Sequence, residues 1–223
     1  DGNGRWAEAK NLPRTQGHAA GAEAVKRVVK ACLAHRIPCL SLFAFSSENW
    51  QRPPEEISAL MDLFLQALQK EIQELHQNQV KIRFTGYIEQ LSHPLRTHIA
   101  EAEALTQNNQ QLTLNIVVNY GGKWDIVQAS KRLAQDVLNQ SIHIDAIDES
   151  LFANALSTRG LPDPDMLIRT SGEQRISNFF LWQLAYAELY FTPIYWPDFD
   201  ESSLAEALSE FQKRKRRFGK THA

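Results

Sequence analysis

The chain has 223 residues, of which 43% are hydrophobic and 22% are charged, and its formal net charge is −2. This composition is typical of a globular protein with a substantial core, and the nearly balanced charge argues against a general nucleic-acid binder. No uncharged run approaches the ~18 apolar residues that span a bilayer, and no secretory signal is visible. Cys32 and Cys39 lack CxxC spacing, so we expect reduced core thiols of a cytosolic protein and neither a disulfide nor a metal site.

The chain begins with a glycine-rich polar run, Asp1-Gly2-Asn3-Gly4-Arg5-Trp6. Glycine permits positive φ and brings backbone N–H groups close to an anion, and arginine adds a planar fork suited to diphosphate oxygens. Asp1 supplies a hard oxygen ligand for Mg²⁺. We interpret the run as a phosphate-binding turn that follows a strand, so we expect a first strand that precedes Asp1. A polar turn without a ligand is the alternative.

Strand-like and helical patterns then alternate along the chain. The strand candidates are residues 37–45, 80–85, 112–120, 166–170 and 189–192, and the helical candidates are residues 17–35, 55–76, 94–108, 124–139, 149–156 and 202–217. This alternation predicts a single α/β domain over residues 1–223, with a mostly parallel sheet flanked by helices on both faces. Ligands of such sheets bind beyond the carboxyl ends of the strands. Polar clusters follow the predicted strands at residues 46–50, 119–122 and 169–173, so we expect the functional site there.

The helix predicted over residues 55–76 is apolar nearly all round. Beside the stripe at helical spacing, Leu63, Leu65 and Ala67 add apolar surface on the flank. Such a helix needs two apolar neighbours. One is the sheet, and the other is a helix, a second subunit or a hydrophobic ligand.

Arginine recurs in the loops predicted near the strand ends, at Arg5, Arg14, Arg52, Arg169 and Arg175. Each alone would be an ordinary surface charge, but arginines that converge repel one another unless an anion lies among them. Neither GxxxxGK[ST] nor GxGxxG after a strand occurs in the sequence, which excludes a P-loop and disfavours a Rossmann dinucleotide site.

Other polar residues near these arginines are candidates for chemistry. Ser46 and Asn49 could orient a water or accept a proton, and His18 lies at the start of the first predicted helix. Glu56 either supports the dipole of the next helix or serves the site. Glu188 is either a second carboxylate near the metal or a plain strand-end charge.

Two further segments combine arginine with small or basic residues. Residues 169–178 place arginines and serines around a glycine turn and predict a second phosphate site. The basic segment 213–223 is, by itself, typical of a solvated helix end or of a nucleic-acid or anionic-membrane contact.

With these residues assembled, the chain closely resembles the cis-prenyltransferases. The matching motifs run in family order along essentially the whole chain: residues 1–6, Gly17-His18 with Gly21, residues 45–50 with Arg52-Pro53, residues 119–122, 168–173, 175–179 and 187–191. The strand and histidine that usually lead into the first motif are absent, and Gln174 stands where many relatives have His. Gln174 can still hydrogen-bond a phosphate.

The resemblance implies an enzyme that adds isopentenyl diphosphate repeatedly to farnesyl diphosphate with cis double bonds. It also implies that the enzyme uses Mg²⁺ as a cofactor, forms a homodimer and does not bind nucleic acid. The implied fold is an α/β fold with a hydrophobic tunnel. In bacteria the product would be undecaprenyl diphosphate, a lipid-carrier precursor for cell-wall polysaccharide. The enzyme would be cytoplasmic, without a transmembrane span, and would deliver its product to the inner face of the membrane.

The resemblance also implies roles for individual residues. The allylic diphosphate would be held by Gly2, Asn3, Gly4, Arg5, Arg14 and Arg52 and bordered by Trp6 and Trp50, with Ser47 and Glu48 in the same substrate-binding set. The isopentenyl diphosphate would be held by Arg169, Arg175, Ile176 and Ser177, and by Gly219 with Arg217 of a partner subunit. Mg²⁺ would be bound by Asp1 and Glu188. Proton removal would involve Asn49, His18 and Ser46.

A hydrophobic tunnel would explain the apolar helix over residues 55–76. Each buried CH₂ contributes about 0.8 kcal/mol, so one five-carbon unit contributes roughly 4 kcal/mol. The candidates for the tunnel wall are Ile37, Ala44, Leu60, Leu63, Phe64, Leu68 and Val80, with Leu112 as the floor. Two alternatives are a non-catalytic partner subunit, which should have lost Asp1 and the loop arginines, and an RNA-binding module, which would leave the loop motifs unexplained.

Overall fold

The computed structural model describes residues 1–214. Helices and strands alternate along them as the sequence predicts. The helices are α1 (Asn3–Ala9), α2 (Arg14–Ala34), α3 (Pro54–Gln77), α4 (His93–Thr106), α5 (Gly122–Leu138), α6 (Glu149–Ala155) and α7 (Glu201–Lys213). The strands are β1 (Cys39–Ser46), β2 (Val80–Thr85), β3 (Leu112–Tyr120), β4 (Met166–Arg169) and β5 (Glu188–Phe191). Within this part of the chain no helix combines the length and the apolar character that a membrane crossing requires.

Every strand pair in the described part of the chain is parallel, which confirms the predicted α/β class. β3 lies between β1 and β2, and Leu114 of β3 is aligned with both Leu40 and Ile82. β4 pairs separately with β5, with Arg169 aligned with Phe191. The register of β1 shifts between Phe43 and Phe45, so Ala44 is an extra residue in a bulge. Bulges of this kind are common beside active sites, where they re-aim side chains.

Both faces of the β1–β3–β2 sheet carry apolar packing. On one face, Leu112 and Leu114 pack with side chains of α2 and α7, and Ile82 and Phe84 pack with side chains of α3 and α4. Val117 points the opposite way in the strand alternation. It packs with the aromatic segment that follows β4.

The start of the chain is a helix, which corrects our prediction of a turn over residues 1–6. Gly2 has φ +107 and caps α1, which begins at Asn3. Helix α1 crosses α2 at very close range: a Cβ on Gly17 would lie 2.0 Å from the carbonyl oxygen of Asn3, and one on Gly21 would lie 2.5 Å from Asn3 Nδ2. Contacts with the next helix therefore stabilise a segment whose own residues favour a turn.

Candidate active site

A cavity of about 1110 Å³ opens at the carboxyl end of β1 and extends between the sheet and helices α2 and α3. Its mouth is polar and its interior is apolar. The site residues predicted from sequence that line it are Asp1, Gly2, Asn3, Gly4, Arg5, Arg14, His18, Ser46, Asn49, Arg52, Arg169, Arg175, Ile176 and Ser177.

The predicted tunnel wall agrees with this cavity except at its floor. Ile37, Ala44, Leu60, Leu63, Phe64, Leu68 and Val80 all line the cavity. Leu112 does not line it, and its side chain is only 1% exposed. It packs in one cluster with Val28, Cys32 and Val80, which do reach the wall. Leu112 is therefore a core residue next to wall residues and does not itself reach the open space.

Helix α3 packs on the sheet and on helix α4, which is the second apolar neighbour that its pattern requires, and a further part of its apolar surface faces the cavity. Of its residues only Leu68 is fully buried, although Leu60, Met61 and Phe64 lie on the same apolar surface. These side chains are half-exposed because they line the cavity. A hydrophobic ligand in the cavity would complete their burial.

Asp1 is paired with Arg169 at the mouth of the cavity. Its Oδ2 accepts hydrogen bonds from Nε of Arg169 at 2.9 Å and from Nη2 at 2.7 Å. Arg169 Nη1 also donates to Ser177 Oγ at 2.8 Å and to the carbonyl oxygen of Arg175. Thr170 Oγ1 donates to the Asp1 carbonyl at 2.8 Å. The end of β4 thus fixes Asp1, which lies just before α1, beside the predicted second phosphate site.

Gly2 and Gly4 of the first motif are packed so closely by their neighbours that no side chain fits at either position. A Cβ on Gly2 would lie 2.8 Å from Tyr195 Cδ1 and 2.9 Å from Ser171 Oγ, and a Cβ on Gly4 would lie 2.9 Å from Arg14 Nη2. The first N–H groups of any α-helix have no partner within the helix. In α1 they belong to residues of the cavity wall.

The predicted convergence of arginines is present, since all of them line the cavity. Arg5 pairs with Glu173 at 3.0 Å, and Arg175 pairs with the same carboxylate. Arg52 pairs with Glu56 at 3.1 Å. Among residues 1–214, Arg14 forms no salt bridge, so its charge is uncompensated at the mouth. This arrangement favours an anionic ligand.

His18 is packed against the same carboxylate that holds Arg52. Its side chain is 11% exposed, and its Nε2 lies 3.5 Å from Glu56 Oε1. Burial lowers the pKa of His18 below its ordinary value, and the charges of Arg52 and Arg14 lower it further against the opposing effect of Glu56. The imidazole is therefore neutral at neutral pH.

Ser46 and Asn49 cap the short helical turn that follows β1. The backbone N–H of Ser46 donates to Asn49 Oδ1 at 3.0 Å, within a reciprocal capping box. Both residues line the same cavity as His18. The capping fixes the position of Asn49, because its side-chain oxygen is committed to the backbone.

Several predicted substrate-binding residues lie outside the cavity wall. Trp50 Nε1 donates to Asn119 Oδ1 at 2.8 Å, and Trp6 Nε1 donates to Asp198 Oδ1 at 2.7 Å. Glu48 accepts hydrogen bonds from Ser47 Oγ at 3.1 Å and from Asn178 Nδ2 at 2.7 Å. These residues brace the loops around the mouth, and their direct contact with substrate stays a prediction.

The predicted metal ligands are not adjacent within this chain. Glu188 is aligned with Met166, three residues before the Arg169–Phe191 pair, which corresponds to about 10 Å along the strand. Its carboxylate accepts a hydrogen bond from Arg214 Nη1 at 2.9 Å and does not line the cavity. Within residues 1–214 no group of three or more His, Cys, Asp or Glu side chains is arranged to hold a metal ion.

The mouth still fits Mg²⁺, because this ion is commonly held by one or two carboxylates together with substrate phosphates and waters. The Asp1 side chain is 44% exposed at the arginine-lined mouth. Asn3 Oδ1 is buried close by without a hydrogen-bond partner. Gly219 and Arg217 lie outside the described residues.

Sequence reasoning missed the counter-ions of the site. Glu173 compensates Arg5 and Arg175, Glu56 joins His18 to Arg52, and Arg214 pairs with Glu188. Only the spacing of Arg52 and Glu56, one helical turn apart, could have indicated its pair in advance. Glu173 and Arg175 are also close in sequence, whereas the pairs Arg5–Glu173, His18–Glu56 and Arg214–Glu188 join parts of the chain that are farther apart.

Comparisons with known proteins agree with this geometry. A family model described as "Putative undecaprenyl diphosphate synthase" matches residues 1–219. The ditrans,polycis-undecaprenyl-diphosphate synthase ((2E,6E)-farnesyl-diphosphate specific) of Legionella pneumophila strain Paris is 59% identical over 98% of this chain and 92% of its own length.

Solved structures show the same fold. Lavandulyl diphosphate synthase from Lavandula x intermedia, in complex with dimethylallyl diphosphate, superposes with a TM-score of 0.95 at 36% identity, covering 99% of this chain and 95% of the other. A probable undecaprenyl diphosphate synthase from Campylobacter jejuni has a TM-score of 0.79 at 31% identity, covering 91% and 93% of the two chains.

Proposed function

The chain belongs to the undecaprenyl diphosphate synthase family of prenyltransferases, and on that premise we propose that it adds isopentenyl diphosphate repeatedly to farnesyl diphosphate to make undecaprenyl diphosphate. One observation carries the proposal: a single cavity joins an arginine-lined mouth to an apolar interior. A substrate with a diphosphate at one end and a hydrocarbon chain at the other matches both parts. The printed names of the curated relatives support farnesyl diphosphate as the primer.

The mouth would hold the two diphosphates on opposite sides of Asp1. The first turn of α1, with Arg14 and Arg52, would bind the allylic diphosphate, and Arg14 has a charge available for it. Arg169, Arg175 and Ser177 would bind the isopentenyl diphosphate. When the allylic carbon–oxygen bond breaks, the allylic diphosphate leaves with the bonding electrons, and Arg14 and Arg52 would stabilise the added negative charge.

A proton must leave once the isopentenyl double bond has attacked the allylic carbon. His18, Ser46 and Asn49 line the cavity beside the mouth. Because the lowered pKa of His18 keeps its imidazole neutral, the ring can accept or relay a proton. The leaving diphosphate is a second acceptor for that proton.

Asp1 is the residue of this chain that would hold Mg²⁺, with diphosphate oxygens as further ligands, and the ion would offset the charge of the leaving group. Arg169 now neutralises the same carboxylate. Arg169 therefore has two tasks, to position Asp1 and to bind the isopentenyl diphosphate. Glu188 pairs with Arg214 and does not line the cavity, and its role as a second ligand stays a prediction.

The apolar interior would take up the growing chain. Burial of one five-carbon unit contributes up to roughly 4 kcal/mol, so elongation is favourable while wall remains to be covered. Chain length is then limited by the depth of the cavity. We propose that the finished lipid passes to a membrane from a cytoplasmic enzyme.

We also propose that the enzyme is a homodimer in which Arg217 and Gly219 serve the partner's isopentenyl site. Mixed dimers of the Arg217→Ala and Asp1→Asn variants test this proposal. If the tail acts in the partner, such dimers recover activity in one of their two sites. Absence of recovery after verified subunit exchange would show that the tail acts within its own subunit or has no role.

The proposed reaction is tested by incubating the protein with farnesyl diphosphate, radiolabelled isopentenyl diphosphate and Mg²⁺. We expect labelled polyprenyl diphosphates that can be sized after dephosphorylation. Asp1→Asn is the matched control, because it keeps the shape of the side chain and removes its charge. Folded wild-type protein that transfers no label would contradict the proposal.

A further inference from the structure

Two ion pairs cross from α2 to α3 along the cavity. Lys26 Nζ lies 2.9 Å from Glu71 Oε1, and Lys30 Nζ lies 3.2 Å from Glu74 Oε1. All of these residues belong to the cavity wall. By the rise of an α-helix they lie about 12 and 18 Å along α2 from His18, deep on the apolar side of the site.

Charged residues are unexpected in this part of the wall, because the wall residues around them on both helices are apolar. Val25, Val29 and Leu33 line the cavity from α2, and Leu68 and Leu75 line it from α3. The two helices are thus joined here partly by charge and not only by apolar packing. We call the line of these two ion pairs the α2–α3 seam.

The ion pairs of the seam hold helices α2 and α3 together only weakly. The side chains of Lys26 and Glu71 are 27% and 17% exposed, whereas those of Lys30 and Glu74 are 69% and 52% exposed. Exposed ion pairs contribute little to stability and are screened by salt. The outer pair therefore resists separation of the helices only slightly, and the half-buried pair between Lys26 and Glu71 is the main link.

We propose that the α2–α3 seam helps to set the length of the product. A polyprenyl chain that fills the cavity presses against α3, whose apolar side chains are only half-buried. If the seam stays closed, the chain has no further apolar space and elongation stops. If the seam parts, the end of the chain passes between the helices and more units are added. This inference rests on the proposed function of the cavity.

Charge reversal at the inner pair is the direct test. In Lys26→Glu the new carboxylate faces Glu71 and also Glu23, which pairs with Lys26 at 2.9 Å within α2. Repulsion should open the seam, and the fraction of products longer than the main wild-type product should rise at least twofold. The double variant Lys26→Glu/Glu71→Lys restores the cross-helix attraction and should restore the wild-type distribution. Glu71→Gln, a milder break of the same pair, should lengthen products to a smaller extent.

Glu23→Gln is the matched control. It removes a partner of the same lysine but leaves the pair across the seam intact, so product length should not change. Equal lengthening in Glu23→Gln and Lys26→Glu, or unchanged lengths in both Lys26→Glu and Glu71→Gln, would overturn the inference.

A second measurement needs no turnover. The dye ANS fluoresces on exposed apolar surface, so its signal should rise in folded Lys26→Glu and return to the wild-type level in the double variant. An unchanged ANS signal in Lys26→Glu would overturn the inference that the seam can open, even if the wild-type protein made no polyprenyl product. Failure of the wild-type reaction with a raised ANS signal would instead overturn the proposed function and, with it, the link to product length.

Discussion

Leu112→Ala should lengthen the product although Leu112 does not line the cavity. The side chain is 1% exposed and packs in one cluster with Val28, Cys32 and Val80, which line the wall. Its truncation leaves a space next to the end of the cavity, into which the wall side chains can move. A single five-carbon unit that gains apolar surroundings is stabilised by up to roughly 4 kcal/mol. Even partial access should therefore shift the distribution of products visibly.

The same substitution should cost stability. Replacing a fully buried Leu with Ala lowers the free energy of unfolding by about 2–5 kcal/mol, which urea denaturation can measure. Leu156→Ala is the matched control, because Leu156 is also 1% exposed and does not line the cavity. It should lower stability by a similar amount and leave product length unchanged.

Chromatographic sizing of the dephosphorylated products shows whether Leu112 limits the depth of the cavity or only contributes to the stability of the core. Longer products in Leu112→Ala but not in Leu156→Ala would place Leu112 behind the end of the cavity. Identical length distributions in both variants would refute the reasoning, since both losses would then be plain core packing.

Other substitutions test the mouth and the wall. Ala44→Leu adds bulk at a bulge that is exposed to the cavity, so it should shorten products, and unchanged sizes would contradict the place of Ala44 in the wall. Asp1→Asn should reduce the rate by more than tenfold, or about 1.4 kcal/mol of barrier, with little change in stability because the side chain is 44% exposed; a smaller loss in a steady-state assay would argue against a metal ligand. The lowered pKa of His18 means that the unfolded chain binds more protons below pH 6.5, so stability should fall as the pH drops through 6.5. His18→Gln should make that fall shallower in urea titrations at pH 7.5 and 5.5, and an unchanged pH dependence would show that His18 does not carry it.

Much of the fold could be predicted from the sequence because its signals are local. Strand-like runs such as residues 80–85 and 112–120 match β2 and β3, since side-chain alternation and β-branched residues act over a few neighbours. The polar clusters after β1 and β4 predicted the place of the site, because parallel strands bring their carboxyl ends to one edge, whereas the cluster at residues 119–122 does not line the cavity. The apolar flank of α3 predicted a second hydrophobic neighbour, which is helix α4, and a further part of the same surface lines the cavity.

Only the tertiary structure decided which side chains reach the cavity. Residues 1–6 carry the signals of a turn, yet α1 forms because Gly17 and Gly21 allow α2 to approach Asn3. The alternation of β3 placed Leu112 in the cluster next to the wall, but it could not show that Leu112 is buried there without lining the cavity. From the sequence, Asp1 and Glu188 were equal candidates for a metal ligand. In the structure Asp1 pairs with Arg169 at the mouth of the cavity, whereas Glu188 pairs with Arg214 and does not line the cavity. Such contacts join residues far apart in the chain, so their geometry depends on how whole elements pack, and local sequence patterns do not contain that information.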